Sequence, residues 1–529
     1  MLGSQILVKT LAKAGVKKIF SLSGNQIMSI YDACIDEKIN IIHTRHEGAA
    51  VSMAEAWSQL TNEIGVVLVT AAQGYTNSIG PLFSVKSSDT PLLLISGDSP
   101  VEQDGKGAFQ ELDQTIISSK LTKLSLRIEN IMDLEEILRQ AIRTALTQKT
   151  GPVHLAIPED ILEKKIKNKT TMNASNFKKH ISKTRYEDLE LLRGEMESSK
   201  RPLIILGPSL NNTRTNYLSK KLITRLNIPT VVMESPRGIN DPSLGKLSSV
   251  LKSCDKIFCF AKTLDFTLSF GNKENYAKNC KWFFISSESQ DYKKIKINLK
   301  NQEFTFILAD PFEVAKTIRN LNFKNQPWLE NVNKKIDFRP KVLRGESQIS
   351  SSELCFNVQK FISNNSPSIV VSDGGEFGQW AQSLTKGTKR LINGPSGAIG
   401  SALPYAISAK LAYPKYTVFA FMGDGTAGFH FSEFETAVRY KLPIIVIIGN
   451  DKCWNAEHQI QVRKYGKDRL IGCELSDARY DKAVEALGGY GELVTDIKKL
   501  ESSLKRAKNS KKPSCLNVLI NGQSAPILQ

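Results

Sequence analysis

The chain has 529 residues, 41% of them hydrophobic, so it is too long for one core and should divide into about three domains of ordinary size. Its formal net charge of +18 would suit a polyanion, yet the lysines are spread along the whole chain and no basic, aromatic-interleaved motif occurs, so no nucleic-acid partner is expected. No run approaches the roughly 20 apolar residues that cross a bilayer, and the eight cysteines (Cys34, Cys254, Cys259, Cys280, Cys355, Cys453, Cys473, Cys515) contain no C-x-x-C pair. A cytoplasmic protein with reduced thiols and no membrane partner is expected, without a zinc cluster or a disulfide framework.

Residues 1–20 carry Leu2, Ile6, Leu7, Leu11 and Ala14 at helical spacing, with Lys9, Lys13, Lys17 and Lys18 between them, which predicts an amphipathic helix rather than a secretory signal. Short apolar runs at 41–42, 66–69, 92–95 and 154–157 then alternate with helical patterns, the signature of a parallel sheet covered by helices. The lysine-rich stretch 163–185 has little to bury and predicts a surface linker. A second set of strands is expected at 203–206, 230–233, 256–260 and 281–285, closed by the polar stretch 323–348. A third set is expected at 368–372, 417–422, 444–448 and 516–520. The predicted fold is therefore α/β, with three consecutive α/β domains of mainly parallel sheets over 1–165, 186–335 and 350–529.

The most informative stretch runs from Met422 through Gly423-Asp424-Gly425-Thr426 to Asn450-Asp451, and reads as strand, glycine turn, helix, strand, polar turn. Ser432 and Glu435 have the spacing of a capping box, and Phe431, Phe434 and Val438 give that helix one apolar face. A glycine-flanked acid at a strand's C-terminal end lets backbone N–H groups approach a phosphate while the carboxylate reaches a metal. Asp424 is that acid. Two oxygen ligands from adjacent turns, completed by diphosphate oxygens and water, suit octahedral Mg²⁺.

This motif resembles the diphosphate-binding motif of thiamine-diphosphate enzymes, and the whole chain is similar to the superfamily of acetolactate synthase, benzaldehyde lyase and 2-hydroxyacyl-CoA lyase. The resemblance implies pyrimidine-binding, central and diphosphate-binding domains in that order. It implies Asp424 and Asp451 as side-chain ligands of Mg²⁺, a backbone carbonyl from Cys453 as a third, and Gly425 and Thr426 against the diphosphate. The family has Asn where this chain has Asp451, so either the site carries an extra negative charge or Asn450 takes the role.

Other segments carry the same resemblance. In Arg45-His46-Glu47-Gly48-Ala49-Ala50, the family's indispensable acid falls at Glu47, where a carboxyl hydrogen-bonded to N1′ of the aminopyrimidine favours the 4′-imino tautomer that deprotonates thiazolium C2. Read from the residues alone, Glu47 is equally a helix N-terminal carboxylate facing the macrodipole. In Gly394-Pro395-Ser396-Gly397-Ala398-Ile399-Gly400, the resemblance places Ile399 beneath the cofactor and the Gly397 carbonyl on its 4′-amino group. Ser372-Asp373-Gly374-Gly375-Glu376 supplies Gly375 and Glu376 as diphosphate contacts, and Ala108-Phe109-Gln110-Glu111 brings Gln110 near the thiazolium.

The cofactor is the electron sink, so substrate choice rests on other residues. His430, His458, Glu457 and Gln73 are candidates for proton transfer, with His430 carried forward as catalytic beside Glu47 and Gln110. Segment 263–271 is more similar to the lyase and oxalyl-CoA decarboxylase branch than to the FAD-binding synthases, which weighs against FAD. The leading expectation is a thiamine-diphosphate- and Mg²⁺-dependent lyase or synthase acting on a 2-oxo acid. The rival is cleavage of a 2-hydroxyacyl-CoA or a benzaldehyde-lyase-like substrate. A catalytically silent, cofactor-binding paralogue would not need Glu47, and a nucleotide binder would lack a P-loop lysine. The resemblance also implies a homodimer or homotetramer, with the cofactor between the pyrimidine domain of one subunit and the diphosphate domain of another.

Overall fold

The computed structural model describes residues 1–147, 149–167, 172–177, 184–300, 302–318, 325–345 and 348–528. The chain folds as two compact units, Met1–Ile181 and Ser182–Gln529. Among the described residues three sheets form, and their strands pair in parallel throughout. Parallel strands covered on both faces must be apolar along their whole length rather than alternating. The run Leu92–Asp98 and the run Ile444–Asn450 are buried at every position, as that rule requires.

In the first unit the strands are β1 (Lys18–Ser21), β2 (Asn40–His43), β3 (Gly65–Val69), β4 (Leu92–Asp98), β5 (Ser125–Arg127) and β6 (Pro152–Pro158), in the order β2-β1-β3-β4-β6-β5. The helix expected over 1–20 is shorter, Gly3–Lys13, because Gly15 sits at φ +89 and stops it. Ile19 and Phe20, inside the range expected to be helical, are instead fully buried in β1. The expected linker 163–185 lies partly outside the described residues, at 168–171 and 178–183. Its described part does have something to bury, since Phe177 and Met172 pack into the first core.

The second unit holds two sheets. The first comprises β7 (Pro202–Leu206), β8 (Thr230–Val232), β9 (Lys256–Phe260), β10 (Lys281–Ser286) and β11 (Phe304–Leu308), ordered β11-β10-β9-β7-β8. The second comprises β12 (Ile349–Ser350), β13 (Ser368–Ser372), β14 (Lys389–Ile392), β15 (Thr417–Gly423), β16 (Ile444–Asn450), β17 (Tyr490–Val494) and β18 (Ser514–Asn521), ordered β12-β18-β16-β15-β13-β14 with β17 on β18. The stretch 323–348, expected as a polar boundary, contains the helix Gln326–Ile336, while 323–324 and 346–347 lie outside the described residues. Trp328, Leu329 and Val332 bury its apolar side, and the Trp328 indole donates to the Pro202 carbonyl at 2.8 Å.

The two sheets of this unit are tied at the edge strand β14. The Arg390 guanidinium donates to Glu234 at 2.8 Å, and Thr213 donates to the Arg390 carbonyl at 2.7 Å. The capping box expected at Ser432 does not form. Ser432 has helical backbone angles there and makes no side-chain cap, while Glu435 pairs with Arg439 at 3.0 Å.

One buried ionisable group in the first unit serves packing. His154 is wholly enclosed between the Ser96 hydroxyl at 2.9 Å and the Ser118 hydroxyl at 2.8 Å, with its ring stacked on Tyr75. Burial disfavours the imidazolium and pushes its pKa from 6.5 down to about 3. The depressed value means that its contribution to stability is fully present above pH 6.5 and is lost as pH falls towards 3. Thermal melts of the full chain should therefore show Tm falling with acid below pH 6.5, and less steeply in His154→Gln. Equal slopes would show that another group takes up the proton.

Candidate active site

In the first unit the catalytic candidate sits at the start of a helix whose packing leaves it little freedom. The helix Glu47–Thr61 is buried along almost its entire length, and small residues such as Ala49, Ala50, Ala54 and Ala56 allow that close approach. His46 caps it, its Nδ1 accepting from the Gly48 N–H at 2.9 Å. Glu47 is only 7% exposed, and its Oε2 accepts a hydrogen bond from the Asn77 amide at 3.0 Å. Its Oε1 makes no hydrogen bond among the described residues. Gln110 stands in the loop after β4 with φ +61, and its Oε1 accepts from the Gln26 amide at 2.9 Å.

In the second unit, β15 and β16 pair in register from Val418 with Ile444 to Gly423 with Gly449, so their following turns open at one sheet edge. Asp424 and Asp451 stand in those turns and face each other closely enough to interact. Burial first, and then the charge of its partner, pushes the Asp451 carboxyl well above the carboxylate range. Asp424 is raised by burial as well. Asp424 Oδ2 is buried and has no hydrogen-bond partner among the described residues. A hard divalent cation would satisfy that arrangement.

The alternative ligand, Asn450, is already used. Its amide donates to Asn517 at 3.1 Å and its Oδ1 accepts from the Lys452 N–H at 3.1 Å, so Asp451 is the better placed of the two. Cys453 forms an antiparallel bridge with Glu474, but the bonds are made by its neighbours, from Trp454 N–H to the Cys473 carbonyl and from Leu475 N–H to the Lys452 carbonyl. In such a pair the residue's own N–H and C=O both turn away from the partner strand. The Cys453 N–H lies near both carboxyls and lowers them, against the effect of burial.

Thr426 Oγ1 donates to the Gly423 carbonyl at 3.1 Å, and a Cβ on Gly425 would come within 2.8 Å of the Trp454 ring, so only glycine lets that indole close over the turn. Gly375 opens the helix Gly375–Leu384 at φ +78 with free space around it. Glu376 is engaged by the C-terminal segment: its Oε2 accepts from the Ala525 N–H, and Arg237 lies 3.5 Å away. His430 is half-buried, and its carbonyl accepts from the Glu433 N–H. Of the other proton-transfer candidates, Gln73 and Glu457 are exposed and His458 is half-buried on a helix, Asn455–Tyr465, that buries no residue.

One residue that organises the site carried no signal as a catalytic group. Asp373 is fully buried at the end of β13, and its carboxylate accepts from the N–H groups of Gly374 at 2.7 Å, Gly400 at 2.9 Å and Ala402 at 3.2 Å. Burial outweighs those three bonds and raises it to about 6. Asn393 secures the other side of the same loop by donating to the Ala398 carbonyl at 2.9 Å. Ile399 is thus held between two braced peptides, with its Cγ2 where a Cβ on Gly374 would lie.

Comparison with known proteins decides what this architecture is. The thiamine pyrophosphate enzyme N-terminal TPP binding domain matches residues 1–117, and the C-terminal TPP binding domain matches residues 373–518. The chain belongs to the thiamine-diphosphate-dependent enzymes. It is 27% identical over 98% of its length to 2-hydroxyacyl-CoA lyase 2 of Caenorhabditis elegans, covering 89% of that protein. It is 26% identical, again over 98% of its length, to an acetolactate synthase large subunit of Mycobacterium tuberculosis, covering 96% of it. Its fold matches a thiamine diphosphate-dependent 4-hydroxybenzoylformate decarboxylase of Rhodococcus jostii with a TM-score of 0.83 at 20% identity, over 99% of this chain and 100% of the other.

A divalent cation bound at this sheet edge would meet the Asp424–Asp451 pair. Because both folded pKa values are raised, each carboxyl favours the fold below pH 3.8 and loses that contribution as pH rises through the folded value. Mg²⁺ is therefore expected to raise the Tm of the full chain more at about pH 8 than at about pH 5. Asp451→Asn should flatten that difference; an increment that ignores both pH and the substitution would remove the pair as the cation site. Asp373→Ala leaves three N–H groups unpaired and should lower stability by roughly 2–3 kcal/mol in denaturant titrations.

Proposed function

We propose that this enzyme uses thiamine diphosphate and Mg²⁺ to make or break a carbon–carbon bond beside the carbonyl of a 2-oxo acid, by acetolactate-synthase-like carboligation or by decarboxylation. The observation that carries the reading is Glu47: a buried carboxyl with one oxygen fixed by Asn77 and the other left open. Fixing Oε2 orients Oε1 to hold a proton and exchange it with a ring nitrogen, the task of a general acid–base. The bound cofactor supplies the electron sink for a carbanion next to a carbonyl.

Asp424, Asp451 and the Cys453 carbonyl would hold the cation, and Gly375, Gly425 and Thr426 would lie against the diphosphate with Glu376 and Asn450 bracing their turns. Ile399 would support the ring system from below, and the Gly397 carbonyl would accept from its amino group. Gln110 and His430 would meet the substrate. We extend the reading to a homodimer or homotetramer, and FAD has no place in it.

Cleavage of a 2-hydroxyacyl-CoA, or a benzaldehyde-lyase-like cleavage, is the second reading, because relatives of about equal similarity carry lyase and synthase names. Calorimetry should detect thiamine diphosphate binding in the presence of Mg²⁺. Product analysis with pyruvate and with a 2-hydroxyacyl-CoA then separates the two chemistries. Glu47→Gln should keep the cofactor but lower turnover on the order of 10²–10⁴-fold, with loss of deuterium exchange at the cofactor's C2. Undiminished exchange in that variant would defeat the assignment of Glu47.

A further inference from the structure

A second polar constellation lies at the strand ends of the first unit. Gln26 follows β1 and is 3% exposed, Thr70 follows β3, and Gln110 lies in the loop after β4. Thr70 Oγ1 donates to Gln26 Oε1, and Gln26 Nε2 donates to Gln110 Oε1 at 2.9 Å. A Cβ on Gly74 would lie 2.8 Å from Thr70 Cγ2 and 3.3 Å from Glu47 Oε1, so this chain of bonds runs beside the open oxygen of Glu47. A Cβ on Gly97 would meet the Gln26 side chain at 2.8 Å, which presses Gln26 into place from the β4 side.

The direction of these bonds has a consequence at the far end. An amide offers one acceptor and one NH₂. With its oxygen turned to Gln26, Gln110 points its NH₂ the other way, and that group makes no hydrogen bond among the described residues. Reversing both amides would leave the Thr70 hydroxyl proton without an acceptor among the described residues and turn the Gln110 oxygen outward. The observed direction lets the buried Gln26 both accept from Thr70 and donate to Gln110, which is the arrangement that burial favours.

We infer that Gln26 and Thr70 are positioning residues that lock the Gln110 amide with its NH₂ outward, as a donor to an anionic or carbonyl oxygen of the substrate. The inference rests on the proposed function and deepens it, naming the group that would meet the oxygen beside the reacting carbon of a 2-oxo acid. Gln26 and Thr70 act only through Gln110.

The test uses the full-length protein loaded with thiamine diphosphate and Mg²⁺, titrated calorimetrically with methyl acetylphosphonate and with methyl benzoylphosphonate, 2-oxo acid analogues that cannot lose carbon dioxide. Gln110→Leu and Gln26→Leu are each expected to weaken analogue binding on the order of tenfold, the loss of about one charge-assisted bond, with cofactor affinity unchanged. In the double variant the Gln26 effect should vanish, because its route is already cut. Thr70→Val should weaken binding in the same way and Thr70→Ser should restore it, which keeps the test open if Gln26→Leu does not fold. Additive effects, or wild type that holds the cofactor yet binds neither analogue, would overturn the inference. Wild type that binds no cofactor would instead overturn the proposed function.

Discussion

Two carboxylates kept side by side away from water govern the second unit. Asp424 and Asp451 reach this position because β15 and β16 pair in parallel with Gly423 opposite Gly449, which delivers both turns to one edge. The surroundings are built to hold them there rather than to neutralise them. Asn517 fixes Asn450, the Tyr480 hydroxyl donates to the Asp424 carbonyl at 3.2 Å, and the Cys453 N–H addresses both acids. One Asp424 oxygen is left without a hydrogen-bond partner among the described residues, a costly arrangement for a buried carboxyl. A cation held between them, as proposed, would couple its binding to stability and to pH.

The same logic of strand ends serves the organic part of the site. In a parallel sheet all strands finish on one side, so loops distant in sequence meet without any need for long excursions. Asp373 at the end of β13 exploits this, joining the loop of Gly374 to Gly400 and Ala402 through a single carboxylate. Ile399 is rigid as a result of bonds made by its neighbours and not by itself. In the first unit the ends of β1, β3 and β4 bring Gln26, Thr70 and Gln110 together in the same manner.

Much of the architecture was legible because buried parallel strands are unbroken apolar runs. Ile444 to Ile448 and Leu92 to Ile95 could hardly be anything else. What escaped were elements whose pattern is diluted. β14 begins Lys389-Arg390, and only its pairing with β13 and the bond from Arg390 to Glu234 make it a strand. The helix Gln326–Ile336 hides three buried residues among lysines and asparagines. β1 fell inside the range expected to be helical because four residues are too few to show a period of their own, and the left-handed Gly15 that ends the helix leaves only a weak trace in composition.

The sequence by itself determined the class of protein, since glycine-flanked acids, a carboxylate opening a small-residue helix and strand-like apolar runs are written in residue order and carry the family resemblance, and it named candidates for the reactive groups. It could not decide which groups are free to act. That Asn450 is consumed by Asn517, that Asn77 holds one oxygen of Glu47, that Glu376 is tied to Ala525 and that Asp373 braces Ile399 are outcomes of tertiary packing. The reason is physical: a polar side chain's chemistry depends on which of its donors and acceptors remain unpaired, and partners 27 to 149 residues apart in the chain meet only when the sheets form.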